Sequence, residues 1–462
     1  MQQKSSGNFS GQLGFVLAAA GSAVGLGNIW RFPFLAARDG GGLFLFVYLI
    51  LLVTFGFTML AVDICIGRRT RQSGIRAFGA ARPGWGFLGK LTFIVPAIIM
   101  TYYTVVGGWI MKYLFVYLFG MGKSAAADGY FGGFITSHVS PIFFMLIFMA
   151  MTAYIVYHGV EKGIEKSSRL FMPVLLLIMI LIGLFSLTLS HTDANGTRTG
   201  MQGLAMYLIP NFTGLTVKGF LQVLLDAMGQ LFYSLSIAMG IMVTYGSYVK
   251  DEVRLPRSIG QIAVFDTMTA FLAGMMIIPT VFVYMGEGGM TQGAGLMFVS
   301  LPKVFQAMGG AGMILGLVFF VMAALAALTS CVSILETLTA DCMRLFNAPR
   351  KKVTLWLTGV YSVAAIVICL GYNVFYMELE LPNGAKAQLL DLMDYLSVSF
   401  LMPLVALLTS ILIGWIVKPQ WIIEELEKGG TPFGAKKLFA FMIRYVCPIV
   451  MVILFIQSTG IL

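Results

Sequence analysis

Charged residues are scarce in this chain. Aspartate, glutamate, lysine and arginine make up 11% of its 462 residues, whereas 58% of the residues are hydrophobic. Soluble globular domains carry about 25% charged residues, so the composition excludes a soluble domain. It predicts instead a protein that crosses a membrane several times.

Histidine and cysteine are rare as well. The three histidines, His138, His158 and His191, fall in loops or at the ends of apolar runs, and the five cysteines show no paired metal-ligand spacing. The sequence also pairs no nucleophile with a base. We therefore expect a protein that is not an enzyme and that uses no organic cofactor.

Long apolar runs, by contrast, are abundant. Eleven of them are long enough to cross a bilayer, and they begin near Gln12, Gly42, Gly89, Ser140, Ser167, Gly219, Arg257, Gly309, Val353, Leu389 and Lys437. The sequence therefore predicts an all-α membrane protein of about 11 transmembrane helices, forming a single domain over residues 1–462.

Lysine and arginine indicate the orientation in the membrane. Most of the 30 basic residues fall in loops on one side, for example between Arg68 and Lys90. Short cytoplasmic loops collect such residues, so we predict a cytoplasmic N-terminus and, with an odd number of spans, an outer C-terminus. The net charge of +10 then reflects topology and contact with membrane lipids rather than binding of nucleic acid.

The first span contains the most informative motif, GSAVGLGNIWRFP at residues 21–33. Three of its first seven residues are glycines, and each costs about 1 kcal/mol in a helix interior, so we predict that the helix opens there. Within a membrane, an open backbone must line a cavity or be buried in protein. Freed carbonyls can bind a cation and freed amides a carboxylate. For any single glycine, close helix packing remains the alternative.

The sixth span repeats this pattern. The segment QLFYSLSIAMG at residues 230–240 places hydroxyl groups and a glycine in mid-membrane. Interrupted helices at corresponding positions indicate a transporter site between inverted repeats. We predict five-helix repeats over residues 12–187 and 219–417, with broken helices 1 and 6, followed by an additional helix over 434–460.

Ionisable and hydroxyl side chains occur in four further spans. Asp266 in the seventh span needs a cation or a proton. Thr329 and Ser330 in the eighth span can bond to their own helix carbonyls or help to form an oxygen-rich cation site. Asp63 in the second span is interpreted as a cap or brace for the broken first helix, with a direct role in transport as the alternative. Asp394, near the outside, is predicted to pair with Arg31 as an outer gate.

In this order and over nearly the whole chain, these residues resemble the neurotransmitter:sodium symporter family, in particular bacterial amino-acid transporters of the leucine-transporter type with eleven transmembrane helices. The resemblance implies a multi-pass protein of the plasma membrane, here a bacterial inner membrane. It also implies symport of an amino acid with sodium ions, two of which are expected.

The resemblance assigns site residues by position. The first sodium site would comprise Ala23, Asn28, Ser234 and Asp266. The second would comprise Gly21, Val24, Ala326, Thr329 and Ser330. The substrate would contact Ser22, Ala23, Leu26, Gly27, Ile99, Tyr103, Tyr233, Ser234, Ser236, Met239 and Ile334. The outer gates would be Arg31 with Asp394 and Tyr103 with Tyr233, and a helix-unwinding motif would extend from Gly163 to Pro173.

Departures from the family pattern are informative. Gly25 stands where monoamine carriers have an aspartate, which favours a substrate with its own carboxylate. Asp266 stands where chloride-dependent members have a neutral residue, which suggests chloride independence. The family's N-terminal gate arginine is replaced by Ser6, and a pair of Lys4 with Asp341 is a weak substitute. Met239 beside Tyr233 suggests a large apolar or aromatic substrate.

Other functions remain open from the sequence. Asp266 could couple transport to protons instead of sodium. A channel or a non-transporting sensor could use the same site.

Overall fold

The computed structural model describes residues 7–193, 196–290, 293–382, 384, 386–428, 430 and 432–459. The helices in the first half of the chain are α1 (Gln12–Ala23), α2 (Gly27–Arg38), α3 (Gly42–Thr70), α4 (Gly74–Ala81), α5 (Gly86–Leu118), α6 (Gly122–Ala125), α7 (Tyr130–Ile135), α8 (Ser140–Tyr157) and α9 (Val160–Leu187). Those in the second half are α10 (Gly200–Leu208), α11 (Val217–Ser234), α12 (Ile241–Ser247), α13 (Leu255–Met285), α14 (Leu296–Ala307), α15 (Gly310–Phe346), α16 (Arg350–Leu370), α17 (Leu389–Ile416), α18 (Gln420–Glu427) and α19 (Lys436–Ser458).

Within the described ranges, strands form two short antiparallel hairpins between the long helices. Strand β1 (Ser190–Asp193) pairs with β2 (Gly196–Thr199), and β3 (Leu379–Glu380) pairs with β4 (Lys386–Ala387). The prediction of an all-helical membrane protein is therefore confirmed.

The helices that could cross a membrane are fewer than predicted. In the described part of the chain, nine are long and apolar enough, or ten if the bent pair α1 and α2 is one span. The predicted sixth span is not among them, because a break divides it into α11 and α12 and because α11 carries Lys218 and Asp226. The count of eleven and the division into repeats stay predictions.

The predicted starts of the long helices agree closely with the structure except at the fifth span. There the helix begins at Val160 rather than near Ser167. Its first turn, Val160–Glu165, is a π-helix that contains Glu161, Lys162 and Glu165. A search for apolar runs does not include such a charged turn in the helix.

The centre of the molecule is formed by the two interrupted helices and the long helices around them. Helix α1 packs against α9, α13 and α15, and α12 packs against α3. Helices α5 and α15 pack against each other extensively. This arrangement buries the breaks in α1–α2 and α11–α12, so their polar groups must find partners inside the protein.

Candidate cation and substrate site

The first break lies at the predicted position, within the glycine-rich motif at residues 21–33. Helix α1 ends at Ala23, and α2 begins at Gly27 at an angle of 55° to it. Glycine is required at position 27, because a Cβ there would lie 2.7 Å from Cδ1 of the Tyr233 ring. The chain therefore opens at residues 24–26 and packs directly against the other broken helix.

The second break lies between α11 and α12. Ser236, Ala238 and Gly240 have φ angles of 52°, 62° and 72°, in the left-handed region that non-glycine residues rarely adopt. Such strained positions cluster at functional sites. The two breaks face each other, because the Ser236 hydroxyl donates a hydrogen bond to the carbonyl of Ser22 over 3.3 Å.

Asp63 holds the second break in place. Its Oδ2 accepts the backbone N–H of Ala238 over 3.0 Å, and the residue is 2% exposed. The interruption leaves this N–H without a helical partner, and a buried N–H must be satisfied. The prediction that Asp63 braces the broken first helix is therefore wrong, because it braces the sixth.

Asp266 is the centre of a buried polar cluster between the breaks. Its Oδ1 accepts hydrogen bonds from Asn28 Nδ2 over 2.8 Å and from Ser234 Oγ over 2.7 Å. Its Oδ2 accepts one from the Tyr48 hydroxyl over 3.4 Å. The structure thus brings together three of the four residues expected at the first sodium site, and the fourth, Ala23, is the last residue of α1.

Among the described residues, this carboxylate makes no ion pair with a cationic side chain. Asp266 is fully buried, and its interactions within the described part of the chain are with Ser234, Asn28 and Tyr48. A buried charge without a counter-charge costs several kcal/mol. The cluster therefore has the electrostatic character of a cation site.

The residues expected at the second sodium site lie between α1 and α15. Ser330 Oγ donates to the carbonyls of Ser22 and Val24 over 3.1 and 3.2 Å. Thr329 Oγ1 instead donates to carbonyls of its own helix, including that of Ala326 over 3.0 Å. Thr329 is nevertheless next to the break, because a Cβ on Gly21 would lie 3.4 Å from its Cβ.

A small cavity lies between the two breaks. Every residue expected to contact the substrate lines it, and so do Gly25, Asn28, Ser330 and Ile241. The Tyr103 hydroxyl and the Ser22 hydroxyl are buried there without a hydrogen-bond partner in the described part of the chain. Because buried polar groups are normally satisfied, both hydroxyls are available to a bound molecule.

The predicted outer gate is only partly formed. Arg31 lies over the ring of Tyr233, with its guanidinium carbon 5.9 Å from the ring centroid. Asp394 accepts a hydrogen bond from the Tyr102 hydroxyl over 2.8 Å. Among the described residues, Arg31 and Asp394 make no ion pair within 4.0 Å, and each contacts a different aromatic residue instead.

Sequence reasoning missed several residues of this region. Tyr48 and Tyr102 lie in apolar runs and carry only one polar atom each. Gln230 directly precedes the predicted second break, and its amide donates a hydrogen bond to the carbonyl of Gly27 over 3.1 Å. Tyr103 was predicted for the site, but the sequence does not show that its neighbour Tyr102 is the ring that reaches Asp394.

The structure describes one member of the suggested N-terminal gate pair, Asp341. Lys4 lies outside the described residues, and Asp341 Oδ1 accepts the backbone N–H of Ile75 over 3.1 Å. Phe9 is 2% exposed and packs on Tyr245 and Tyr248, with ring centroids 5.5 and 6.0 Å away. The segment from Gly163 to Pro173 is helical throughout.

Comparison with known proteins agrees with this architecture. The model of the sodium:neurotransmitter symporter family matches residues 6–121 and 136–461. The chain belongs to this family. An uncharacterized sodium-dependent transporter of Bacillus subtilis is 33% identical over the whole of both chains. The sodium- and chloride-dependent GABA transporter 2 of Rattus norvegicus is 26% identical over 91% of this chain and 74% of its own.

A solved structure shows the same fold. The crystal structure of MhsT in complex with L-phenylalanine superimposes with a TM-score of 0.84, at 34% identity, over 98% of this chain and 99% of that one. The chain is therefore a multi-pass membrane transporter of the sodium-coupled class. It is not an enzyme, since the family consists of transporters.

Proposed function

We propose that this family member is a sodium-coupled symporter that imports an amino acid by alternating access, with its N-terminus in the cytoplasm. The observation that carries the proposal is the fully buried Asp266 carboxylate between two broken helices, without a cationic side chain in the described part of the chain. Sodium is a hard cation that prefers oxygen ligands, which opened helices supply. Its binding would neutralise the carboxylate and order both breaks.

The first sodium ion would be held by Ala23, Asn28, Ser234 and Asp266. The hydrogen bonds that join Asn28 and Ser234 to Asp266 Oδ1 support this set. The second ion would be held by Gly21, Val24, Ala326, Thr329 and Ser330. The contact of Ser330 Oγ with the Val24 carbonyl supports that set, because it brings a hydroxyl to the open end of α1.

The substrate would place its carboxylate at Tyr103 and at the backbone of Leu26 and Gly27. The unpartnered Tyr103 hydroxyl supports this position. Position 25 leaves no room for an acidic side chain, because a Cβ there would lie 2.8 Å from Ser330 Oγ and 3.4 Å from the Tyr103 hydroxyl. The carboxylate therefore has to arrive with the substrate, as in an amino acid.

The side chain of the substrate would be large and apolar or aromatic. Ile99, Met239, Ile334 and Ile241 line the cavity together with Tyr233, and flexible methionine adapts to bulky groups. The L-phenylalanine bound to MhsT supports the same class. We further propose that Asp266 supplies the fixed negative charge that chloride supplies in chloride-dependent relatives.

Uptake by proteoliposomes tests the proposal. Labelled L-phenylalanine should accumulate above its outside concentration when an inward sodium gradient is imposed, and should not accumulate when potassium replaces sodium. Accumulation in sodium-free buffer driven by a pH gradient would instead favour proton coupling at Asp266. Flux that never exceeds equilibration would indicate a channel, and binding without flux would indicate a sensor.

A further inference from the structure

The arginines at the end of α3 are part of the packed structure. Arg68 is 1% exposed, although arginine is almost never fully buried unless it is paired. Its Nε donates to Glu425 Oε1 over 2.5 Å, and its Nη2 donates to the carbonyl of the same residue. Its Nη1 donates to the carbonyl of Val253 over 2.8 Å. One guanidinium group therefore joins α3, α18 and the segment that precedes α13.

Helix α18 lies on α3 through its apolar face. Ile422 and Leu426 are fully buried, and Glu425 between them is 4% exposed. Apolar contacts are non-directional, so burial by itself leaves α18 free to shift along α3. The pair of Arg68 and Glu425 removes that freedom, because separating a buried ion pair leaves both charges uncompensated.

Further charged residues join the same cluster at its exposed edge. The guanidinium carbon of Arg69 lies 4.7 Å from the ring centroid of Trp421, the second residue of α18. Asp251 lies four residues beyond the end of α12, and its carboxylate binds both Arg71 and Lys428, the latter over 3.1 Å. The segment that follows the second broken helix is thus tied to α3 and to the end of α18.

Helices α17, α18 and α19 are joined at their inner ends, on the side that is predicted to face the cytoplasm. The connection from α17 to α18 is three residues long, and within it Lys418 has a φ angle of 77°, a conformation that needs support from its surroundings. Trp415 Nε1 on α17 donates to the carbonyl of Arg444 on α19 over 3.0 Å, and Arg444 Nε donates to the carbonyl of Gly414 over 3.1 Å. A displacement of α18 therefore reaches α17 directly.

The two ends of α17 are attached to different parts of the molecule. The helix has 28 residues, or about 42 Å at a rise of about 1.5 Å per residue, so it is longer than the roughly 30 Å hydrocarbon core of a bilayer. Near its outer end, Asp394 accepts the Tyr102 hydroxyl of α5 over 2.8 Å. Beyond its inner end, α18 is fixed to Arg68 of α3. A shift of α3 relative to α5 must therefore tilt α17 or break one of these attachments.

We propose that Arg68 is a positioning residue for the outer gate. It anchors α18 to α3 and to the segment after α12, so that ordering of the second break by sodium is passed through α18 and along α17 to Asp394. This inference rests on the proposed transport function, because sodium binding at Asp266 supplies the change that is transmitted. Coupling between distant sites can be carried by a contiguous chain of packed and charged groups. The buried pair of Arg68 and Glu425 is a link in that chain which a single substitution removes.

Hydrogen exchange of the purified full-length protein, measured by mass spectrometry, tests the anchor. In the unaltered protein, sodium with L-phenylalanine should slow exchange about tenfold relative to potassium, both at residues 234–240 of the second break and at residues 389–396 of the outer gate. In Glu425→Gln, the slowing should persist at residues 234–240 and fall below about twofold at residues 389–396. A role in folding alone would change both regions together, in sodium and in potassium alike.

The neighbouring carboxylate provides a matched control. Glu424 pairs with Arg69 over 3.0 Å, but its side chain is 54% exposed, and exposed ion pairs contribute little. Glu424→Gln should therefore show the same sodium effect as the unaltered protein in both regions.

A double variant keeps the test decisive if Glu425→Gln does not fold. Arg68→Met combined with Glu425→Met fills the space of the pair without a buried charge, a replacement that is often neutral for stability. This variant should fold and should still lose the sodium effect at residues 389–396, because the hydrogen bond to the Val253 carbonyl is gone.

Each outcome decides the proposal. An unchanged sodium effect at residues 389–396 in a folded variant contradicts the anchor. Loss of the effect at residues 234–240 as well contradicts it too, because the substitution would then act on the sodium site itself. If the unaltered protein shows no sodium effect in either region, the proposed function fails. The attachment of α18 is then still tested, because residues 421–426 should exchange faster in Glu425→Gln than in the unaltered protein in either buffer, and equal exchange there would overturn it.

Discussion

Gly25 shows how a single residue restricts what the central cavity accepts. Because a Cβ at this position would meet Ser330 Oγ at 2.8 Å and the Tyr103 hydroxyl at 3.4 Å, even a methyl group would crowd both. Ser330 also bonds to the Val24 carbonyl, so it cannot move without disturbing the open end of α1. A larger residue at position 25 would therefore also disturb Ser330 at the proposed second sodium site.

We expect Gly25→Ala to weaken amino-acid binding about tenfold, since overpacking of a well-packed site costs about 1–3 kcal/mol. Equilibrium binding of L-phenylalanine in sodium measures the effect. Gly132→Ala is the matched control, because nothing lies within 4 Å of a Cβ at position 132. Equal affinities for both variants would show that Gly25 does not limit the cavity.

Residue identities in the site were predictable to different degrees. Asn28, Ser234 and Asp266 were predictable because polar groups in apolar spans need partners, and the family resemblance grouped them. Tyr48, which completes the Asp266 cluster, was not, because a tyrosine in an apolar run gives no sign of where its hydroxyl points. The partner of Asp63 was misjudged because sequence does not reveal which of two breaks a carboxylate on α3 reaches.

The breaks in α1–α2 and α11–α12 are the elements on which the site depends. The first was predictable from its glycines. The second is stabilised by Asp63, which binds the Ala238 N–H although Ala238 has a φ of 62°. A strained backbone of this kind persists only where its surroundings hold it.

Asp63→Ala should therefore destabilise the protein by about 1–3 kcal/mol, the cost of an unsatisfied buried N–H. Asp63→Asn keeps an acceptor oxygen and should retain most of the stability. Thermal unfolding in detergent, with and without sodium, compares the two variants. An unaltered Tm in Asp63→Ala would contradict the role of this carboxylate in bracing the second break.

Helix α9 is the element that we expect to move during turnover. Pro173 interrupts its hydrogen bonding, and replacement by alanine would restore a helical hydrogen bond and oppose unwinding. We predict that Pro173→Ala lowers the rate of uptake while sodium-dependent binding at equilibrium stays unchanged.

Pro256→Ala serves as the control for that measurement. Pro256 lies in the first turn of α13, where proline removes no helical hydrogen bond. Uptake by this variant should equal that of the unaltered protein. Equal uptake by Pro173→Ala would show instead that α9 need not unwind during turnover.

At the scale of the whole molecule, the proposed coupling is energetically sufficient. Two sodium ions that enter with a zwitterionic substrate release about 7.4 kcal/mol of free energy at a membrane potential of about 100 mV and roughly tenfold sodium gradients. Tight coupling would then sustain roughly a 10⁵-fold substrate gradient. The all-helical fold that supports this transport was predictable from the length of the apolar runs. The number of spans was not, because a broken and partly polar helix does not meet a criterion based on length and hydropathy.

Chloride should not be required for transport. If the Asp266 carboxylate provides the fixed negative charge, replacement of chloride by gluconate should leave sodium-driven uptake of L-phenylalanine unchanged. The measurement compares initial uptake rates in proteoliposomes at equal sodium concentration. Abolished uptake in gluconate would show that this chain, like its chloride-dependent relatives, needs the anion.

The central claim is that Asp266 and its neighbours couple amino-acid binding to sodium. Equilibrium binding of a panel of amino acids to the purified protein, in sodium or in potassium at equal ionic strength, tests it most directly. We predict sodium-dependent binding of a bulky apolar amino acid, weakened at least about 100-fold in Asp266→Asn and unchanged in Asp128→Asn, whose side chain is 91% exposed. Binding that is indifferent to sodium, or unaffected by Asp266→Asn, would contradict the account.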